Sequence, residues 1–124
     1  MWCCFGWAYS NKLFNGIIMW TTDTTYDIKN PEERKKTPVF SGVLMYFPDA
    51  IRDIARCSLA GNEQHNPDKP LHWDRSKSGD ELDALTRHLM EAGTTDSDGV
   101  RHSTKVAWRA LANLQKEIED DREE

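Results

Sequence analysis

After residue 38 the apolar residues of this chain recur at helical spacing, and no alternating apolar pattern of useful length interrupts them. That periodicity predicts helices rather than strands. The first helix is predicted from Pro48, which suits the first helical position, to about Ala60, with Gly61 as its C-terminal cap. The sequence therefore predicts an all-α fold: a small helical bundle of three main helices with a long polar loop and an irregular N-terminal leader.

Two further helices follow the long polar loop. The second is predicted to open at Ser78, because Ser78 and Glu81 have the spacing of a capping box, and to stop before Gly93. Its buried stripe is predicted to consist of Leu82, Leu85 and Leu89. The third is predicted to begin after Gly99 and to run to about Asp120. Its apolar face carries Ser103, Ala107, Ala110, Leu111, Leu114 and Ile118.

Residues 1–37 are predicted to form an N-terminal arm and connector, and residues 38–124 the helical domain. The first twenty residues are apolar and aromatic, but polar breaks at Asn11 and Asn15 and the lack of a basic beginning argue against a signal peptide or a membrane span. Three interpretations remain: a short strand, an apolar arm that docks on the domain or on a second subunit, or an upstream region translated ahead of Met19. In the connector, one turn of helix is predicted at residues 31–34.

The net charge and the cysteines narrow the partners, the metal sites and the compartment that this chain is expected to have. The 124 residues carry a net charge of −5 and no basic block, so a nucleic-acid polymer is a poor partner, whereas a small phosphorylated ligand needs only a few local cations. Cys3 and Cys4 are adjacent, Cys57 lies far away, and no CxxC pair exists, which argues against a structural zinc site. An odd number of cysteines favours a reducing compartment, and we expect a cytoplasmic protein without a membrane partner.

The loop over residues 62–78 is long for so small a domain, and loops of this length are often functional. It holds Glu63, His65, Asn66, His72, Trp73, Asp74, Arg75 and Lys77. One interpretation is a binding loop. The other is a surface loop in which Trp73 fills the core and the remaining side chains are solvated.

Helical angles group the polar residues of the two later helices. At about 100° per residue, Asp83 and Arg87 are close enough for an ion pair within the second helix, and Glu81 and His88 share a face. On the third helix His102 and Arg109 lie roughly opposite the apolar stripe. That face is either solvated or covered by the long loop or by another subunit, which would create a cleft.

The acidic turn before His102 resembles a calcium-binding loop only in part. Asp96, Asp98 and Gly99 stand at ligand and turn positions, but Lys105 stands where such a loop needs a bidentate glutamate, so an EF-hand is excluded. There is also no HExxH motif, no His-Asp dipeptide, no glycine-rich phosphate loop and no distinctive support for a nucleophilic triad.

Several of these segments together resemble one family. They are residues 61–67 (GNEQHNP), 72–73 (HW), 83–89 (DALTRHL), 96–102 (DSDGVRH) and 108–111 (WRAL). They are similar to the bacteriophage module described as the N-terminal domain of dATP/dGTP diphosphohydrolases, loosely related to the MazG-like all-α nucleotide pyrophosphohydrolases. The resemblance covers about residues 38–116. It implies a helical, oligomeric enzyme that splits a (deoxy)nucleoside triphosphate into monophosphate and pyrophosphate with Mg²⁺ or Mn²⁺.

One departure from the related enzymes concerns their metal ligands. MazG-like enzymes hold their metals with an ExxE motif and a later ExxD motif, and the nearest substitute here is the pair Asp80 and Asp83. Metal-assisted hydrolysis is therefore a hypothesis that rests on the resemblance.

On this hypothesis water attacks a phosphoryl group with the help of a metal, and the site residues can be given roles in that reaction. The metal ligands would be Glu63, Asp83 and Asp98. The catalytic residues would be Glu63, His88 and His102, with a histidine orienting the water or taking its proton. Substrate would be bound by Asn66, Trp73, Lys77, Arg87, Trp108 and Arg109, through base stacking and phosphate pairing.

Two other functions stay open. A non-catalytic module would bind a nucleotide or a nucleotide-derived signal with the same cations and indoles but without the carboxylates. A structural interaction protein would oligomerise through its apolar N-terminal arm. For the enzyme, the expected partners are a small-molecule nucleotide and further copies of the chain in a homo-oligomer.

Overall fold

The computed structural model describes residues 10–14, 17–21, 29–77 and 79–123. Two short strands lie in the N-terminal arm, β1 (Ser10–Phe14) and β2 (Ile17–Thr21), and they pair antiparallel with Ser10 opposite Thr21. A short strand was one of the three interpretations of this arm that the sequence allowed. The remaining described residues form helices and connecting loops, which confirms the predicted all-α class for the domain.

The connector contains the predicted turn of helix as α1 (Pro31–Lys36). The Asn30 side chain accepts a hydrogen bond of 3.0 Å from the Glu32 backbone N–H, and proline occupies the first helical position. Acidic residues stand in its first turn and basic residues in its last, which suits the helix dipole. A π-helical turn (Phe40–Leu44) then leads into the first long helix.

The first long helix, α2 (Pro48–His65), is longer than predicted. The assignment of Gly61 as its C-terminal cap was wrong: Gly61 lies within the helix and does not adopt a positive φ. The helix ends instead at Asn66, which precedes Pro67. The proline ring clashes with the preceding residue and makes a helical conformation unfavourable there. The extra turn brings residues 62–65 into a helix rather than into the loop.

The second and third predicted helices are α3 (Glu81–Met90) and α4 (His102–Glu123). The predicted capping box was wrong, because Asp80 is the N-cap of α3 and makes no side-chain capping bond; Ser78 lies outside the described residues. The Asp80 carboxylate binds Arg87 instead. Gly93 and Gly99 both have a positive φ, which a turn between two helices tolerates only at glycine or at a few polar residues.

The helix α4 lies at the centre of the domain. It packs along α3 on one side and against α2 on another, whereas α2 and α3 make no backbone approach to each other among the described residues. Ala84 and Ala112 are the buried apolar residues of this described part. The polar residues buried with them are Asn62, Glu81, His102 and Thr104.

The predicted leucine stripe is only partly buried. Leu82 is 60% exposed and Leu89 is 55% exposed, so their assignment to the core was wrong, while Leu85 is half-buried. On α4 the apolar face is open as well, with Leu111 and Leu114 each 49% exposed. The reason is that α4 turns its polar face, which begins with His102, towards its neighbours.

None of the helices in the described ranges combines the length and the apolar character needed to cross a membrane.

Candidate functional site

A cavity of about 600 Å³ lies between the C-terminal half of α2, the loop that follows it, and the facing turns of α3 and α4. Its lining mixes aromatic, cationic and imidazole side chains with few carboxylates. The aromatic and charged residues on its wall are Trp73, Trp108, Lys77, Lys105, Arg109, His65, His72, His88, Asp74 and Asp98. Such a wall suits an anionic ligand that carries a ring.

Two indole rings form one side of the cavity. Trp73 of the loop and Trp108 of α4 meet edge to face, with ring centroids 5.7 Å apart and an interplanar angle of 76°. The Trp108 Nε1–H donates a hydrogen bond of 2.7 Å to Ser58 Oγ on α2, which fixes the ring. The Trp73 Nε1–H is buried and has no hydrogen-bond partner among the described residues.

The loop that carries Trp73 is tied down at both ends. Near α2, the buried Asn62 side chain donates to the Lys69 carbonyl at 3.1 Å and accepts from the His72 N–H at 3.2 Å. Farther along, the Arg75 guanidinium makes two hydrogen bonds of 2.8 and 2.9 Å to the Glu119 carboxylate. The cavity wall is therefore built from a constrained loop rather than a free one.

Lys105 neutralises the acidic turn from within the chain. Its Nζ lies 2.7 Å from Asp96 Oδ2 and 2.6 Å from Asp98 Oδ2. These hydrogen bonds hold the pKa of both aspartates below the ordinary carboxyl range. Burial acts to lower the pKa of Lys105, but the bonds to the two aspartates outweigh it and raise that pKa. An ammonium group thus binds both carboxylates that a calcium loop would use for its ion.

A pair of histidines joins α3 to α4 at the base of the cavity. The Nδ1 atoms of His88 and His102 are 3.0 Å apart, and the ring centroids are 5.2 Å apart. His102 is buried, and its Nε2 lies 3.4 Å from Glu91 Oε2. Burial, helped by the charge of Lys105 and by His102, lowers the pKa of His88. The neutral form of His88 is therefore favoured, and the hydrogen in the contact between the two Nδ1 atoms is carried by one of them.

Metal-ligating atoms converge at one place in the described part of the chain. His88, Asp96 and His102 each offer a ligand atom, and these atoms all lie within 4.8 Å of one another. The carboxylates predicted as ligands, Glu63, Asp83 and Asp98, do not form such a group among the described residues.

Most of the sequence-predicted site residues border the cavity. They are Asn66, Trp73, Lys77, His88, Asp98, Trp108 and Arg109. His102 lies behind His88. The polar face of α4 is thus covered by the long loop and by α3. Of the two alternatives for this face, a solvated surface or a covered cleft, the structure has the cleft.

Three predicted residues lie elsewhere. Glu63, Asp83 and Arg87 are exposed and do not line the cavity. The predicted ion pair between Asp83 and Arg87 was wrong, because the Arg87 guanidinium binds Asp80 Oδ2 at 2.9 Å. A helix start at Glu81 leaves Asp80 unwound and within reach of Arg87.

Sequence reasoning missed the central role of Lys105 and the convergence of Asp96 with the two histidines. A signal for Lys105 was present, since it occupies the last ligand position of a calcium-like loop whose aspartates need a cation. His65 and His72, both on the cavity wall, were seen as loop residues but given no role.

Comparison with known proteins identifies a family. The model of the family described as dATP/dGTP diphosphohydrolase, N-terminal, matches residues 29–124, which confirms the resemblance found in the sequence. No curated protein and no solved structure matches the chain. The matched range contains α1 to α4 and every residue of the cavity wall.

Proposed function

Because this chain belongs to the family of dATP/dGTP diphosphohydrolase N-terminal domains, we propose that it acts on a purine deoxynucleoside triphosphate, which it converts to the monophosphate and pyrophosphate. The observation that supports this proposal is the cavity, where indole rings and cationic side chains share one wall. A nucleotide offers a flat base and a chain of phosphates, and each part has a matching surface there.

The indoles suit the base. Stacking of a nucleobase on an aromatic side chain contributes about 1–3 kcal/mol and does not depend on hydrogen bonding. Ser58 keeps the ring of Trp108 in place. The base would therefore bind on the side of the cavity where α2, the loop and α4 meet.

The cations suit the phosphates. Arg109 lies over the Trp108 ring, 5.5 Å from its centroid, and no carboxylate of the described residues lies within ion-pair distance of it. Lys77 contacts Asp74 only at 3.8 Å and keeps a largely exposed side chain. Both side chains can therefore turn to phosphate oxygens without breaking a strong internal pair.

Mg²⁺ or Mn²⁺ is proposed to enter with the triphosphate, as part of the substrate, and to neutralise its charge. Of the three predicted carboxylate ligands, only Asp98 borders the cavity, and its carboxylate already accepts a hydrogen bond from Lys105. The described carboxylates do not fit a protein-bound magnesium ion, so no step of the reaction is assigned to one.

The same observation favours a second candidate function, which is nucleotide binding without turnover. The binding groups lie on the cavity wall, whereas Glu63 and Asp83 lie away from it. A domain of this kind would capture the nucleotide and leave hydrolysis to another protein or domain.

The test combines binding and turnover. The full chain is titrated with dATP and dGTP by calorimetry, and pyrophosphate and monophosphate release are followed with Mn²⁺ and with Mg²⁺. Arg109→Met is expected to weaken nucleotide binding about tenfold or more, since a lost charge-assisted hydrogen bond costs about 1.5–3 kcal/mol. Arg87→Met, whose guanidinium is exposed and paired with Asp80 outside the cavity, is the matched control and should leave binding unchanged.

The outcomes separate the two candidates. Pyrophosphate release that follows the Arg109 dependence supports the diphosphohydrolase. Tight binding with the same dependence and no release with either metal supports the binding module. If the folded protein binds neither dATP nor dGTP, both candidates are wrong.

A further inference from the structure

We propose that His88, Asp96 and His102 form a binding site for one divalent transition-metal ion. Ligand atoms of all three residues lie within 4.8 Å of one another, at the junction between α3 and α4. The site is distinct from the carboxylate ligands that the sequence predicted, and it does not depend on the proposed hydrolysis, because metal binding is measured on its own.

The spacing of the two imidazoles fits coordination. His88 Nδ1 and His102 Nδ1 are 3.0 Å apart. Two nitrogen ligands at about 2.1 Å from one ion are about 3.0 Å apart at a right angle and about 3.4 Å apart at the tetrahedral angle that zinc prefers. The separation of the metal-free pair therefore lies within about 0.4 Å of what a bound ion requires, and a small movement of the rings admits one.

The backbone between the two histidines holds the ligands in place. His88 stands in the last turn of α3, Asp96 in the connecting turn, and His102 at the first position of α4. The Asp96 N–H donates to the Val100 carbonyl at 2.9 Å, and the His102 N–H donates to the Thr94 carbonyl at 3.1 Å. A short, hydrogen-bonded segment therefore presents all three ligands, which lowers the cost of ordering them on binding.

The charges around the site favour a cation. Three carboxylates, those of Asp96, Asp98 and Glu91, stand near the ligands, against two cations, Lys105 and Arg109. Lys105 binds Asp96 through Oδ2, and ligating carboxylates in metal sites are commonly oriented by a hydrogen bond of this kind. Lys105 would then act as a positioning residue, because it orients a ligand without touching the ion.

The donor set selects the type of metal. Two imidazoles and one carboxylate suit ions from Mn²⁺ to Zn²⁺, whereas Mg²⁺ and Ca²⁺ prefer oxygen ligands. Three protein ligands leave at least one coordination position for water or another ligand. His88 also borders the cavity, so a metal here would lie beside the nucleotide site.

The experiment measures metal binding to the full chain after chelator treatment. Zn²⁺, Co²⁺ and Mg²⁺ are titrated separately by calorimetry, and Co²⁺ binding is also followed by visible absorption. We expect one equivalent of Zn²⁺ and of Co²⁺, a rise in the melting temperature with Zn²⁺, and no binding of Mg²⁺ at the same concentrations.

Matched variants locate the site. His88→Gln and Asp96→Asn are each expected to weaken Zn²⁺ binding at least tenfold, with folding checked by circular dichroism without metal. His72→Gln removes another imidazole from the cavity wall, and Asp98→Asn removes the other aspartate bound to Lys105; both should keep one equivalent of Zn²⁺. Failure of the folded wild-type chain to bind Zn²⁺ or Co²⁺ would overturn the proposal, as would binding that His72→Gln abolishes and His88→Gln does not.

Discussion

Lys105 shows how one side chain can take the place of the ion that a loop motif normally binds. The turn at residues 96–99 carries two aspartates and a glycine as a calcium loop does, yet the ammonium group of Lys105 lies within 2.7 Å of one aspartate and 2.6 Å of the other. The charge that a calcium ion would supply comes instead from the next helix. The turn is therefore fixed to α4 without a calcium ion, and Asp96 is oriented towards the two histidines.

Glu81 is an ionisable residue that lies in a buried environment. It is 5% exposed, its Oε1 has no hydrogen-bond partner among the described residues, and its Oε2 lies 3.3 Å from Lys116 Nζ. Replacing a buried ion pair by apolar groups is often neutral or stabilising by about 1–4 kcal/mol. The Lys116 side chain is 26% exposed, so its ammonium group stays solvated once Glu81 is replaced. We therefore expect Glu81→Met to raise the free energy of unfolding by about 1 kcal/mol, measured by urea denaturation at pH 7.

The control for this prediction removes the other partner. Lys116→Met leaves the Glu81 carboxylate buried without its cation and should lower the free energy of unfolding, while the double variant should resemble Glu81→Met. If Glu81→Met instead destabilises the protein as much as Lys116→Met does, the pair is a net source of stability and the prediction is wrong.

At the residue scale, sequence reasoning could identify most of the cavity wall but not the partners. Trp73, His88 and Arg109 were singled out from their residue types and their segments, and they do lie together. The ion pair of Arg87 could not be derived, because Asp83 and Asp80 are both within reach along the chain and the choice depends on where the helix begins. Pairing depends on distances that a one-residue shift of a helix start changes.

At the scale of secondary-structure elements, the number and order of helices followed from periodicity, whereas the ends did not. Gly61 looked like a stop signal, but α2 continues to His65. The reason is tertiary: the Asn62 side chain, now on the helix, binds two backbone groups of the following loop. A contact between a helix and a loop ten residues away outweighs the weak local preference of one glycine.

This contact makes Asn62 the anchor of the loop that forms the cavity wall. Asn62→Ala removes the side-chain partners of the Lys69 carbonyl and the His72 N–H. We expect a loss of about 1–3 kcal/mol in the free energy of unfolding, and faster amide hydrogen exchange confined to residues 66–77. Hydrogen-exchange mass spectrometry and urea denaturation measure the two effects.

A matched asparagine tests whether this result is specific. Asn113→Ala removes an amide that bonds only Glu117 within α4, so it should change neither the stability by more than about 0.5 kcal/mol nor the exchange of the loop. Exchange that rises evenly over the whole domain in Asn62→Ala would show a general loss of stability and would contradict the anchoring role.

At the scale of the whole molecule, the orientation of α4 is the feature that the sequence left undecided. An amphipathic helix is expected to bury its apolar face, yet α4 turns the face with His102 and Arg109 towards α3 and the loop. The apolar face with Leu111 and Leu114 stays half-exposed. The face of α4 that carries Lys105, Trp108 and Arg109 lines the cavity, so the face with Leu111 and Leu114 has no covering surface among the described residues.

The exposed apolar surface leads us to expect that copies of this chain associate. Besides Leu111 and Leu114, the segment over residues 39–47 is largely apolar and exposed, and exposed apolar patches of this kind mark interaction sites. We expect light scattering to give a mass above the 14.3 kDa of one chain, and Leu111→Glu with Leu114→Glu to reduce it to one chain's mass, because an interface core excludes unpaired charges. Asp120→Lys changes an exposed charge on the opposite side of α4, about 180° around the helix from Leu111 and about 120° from Leu114, and should keep the higher mass. A wild-type mass of one chain at micromolar concentration would contradict the expectation and would leave this surface open to another partner.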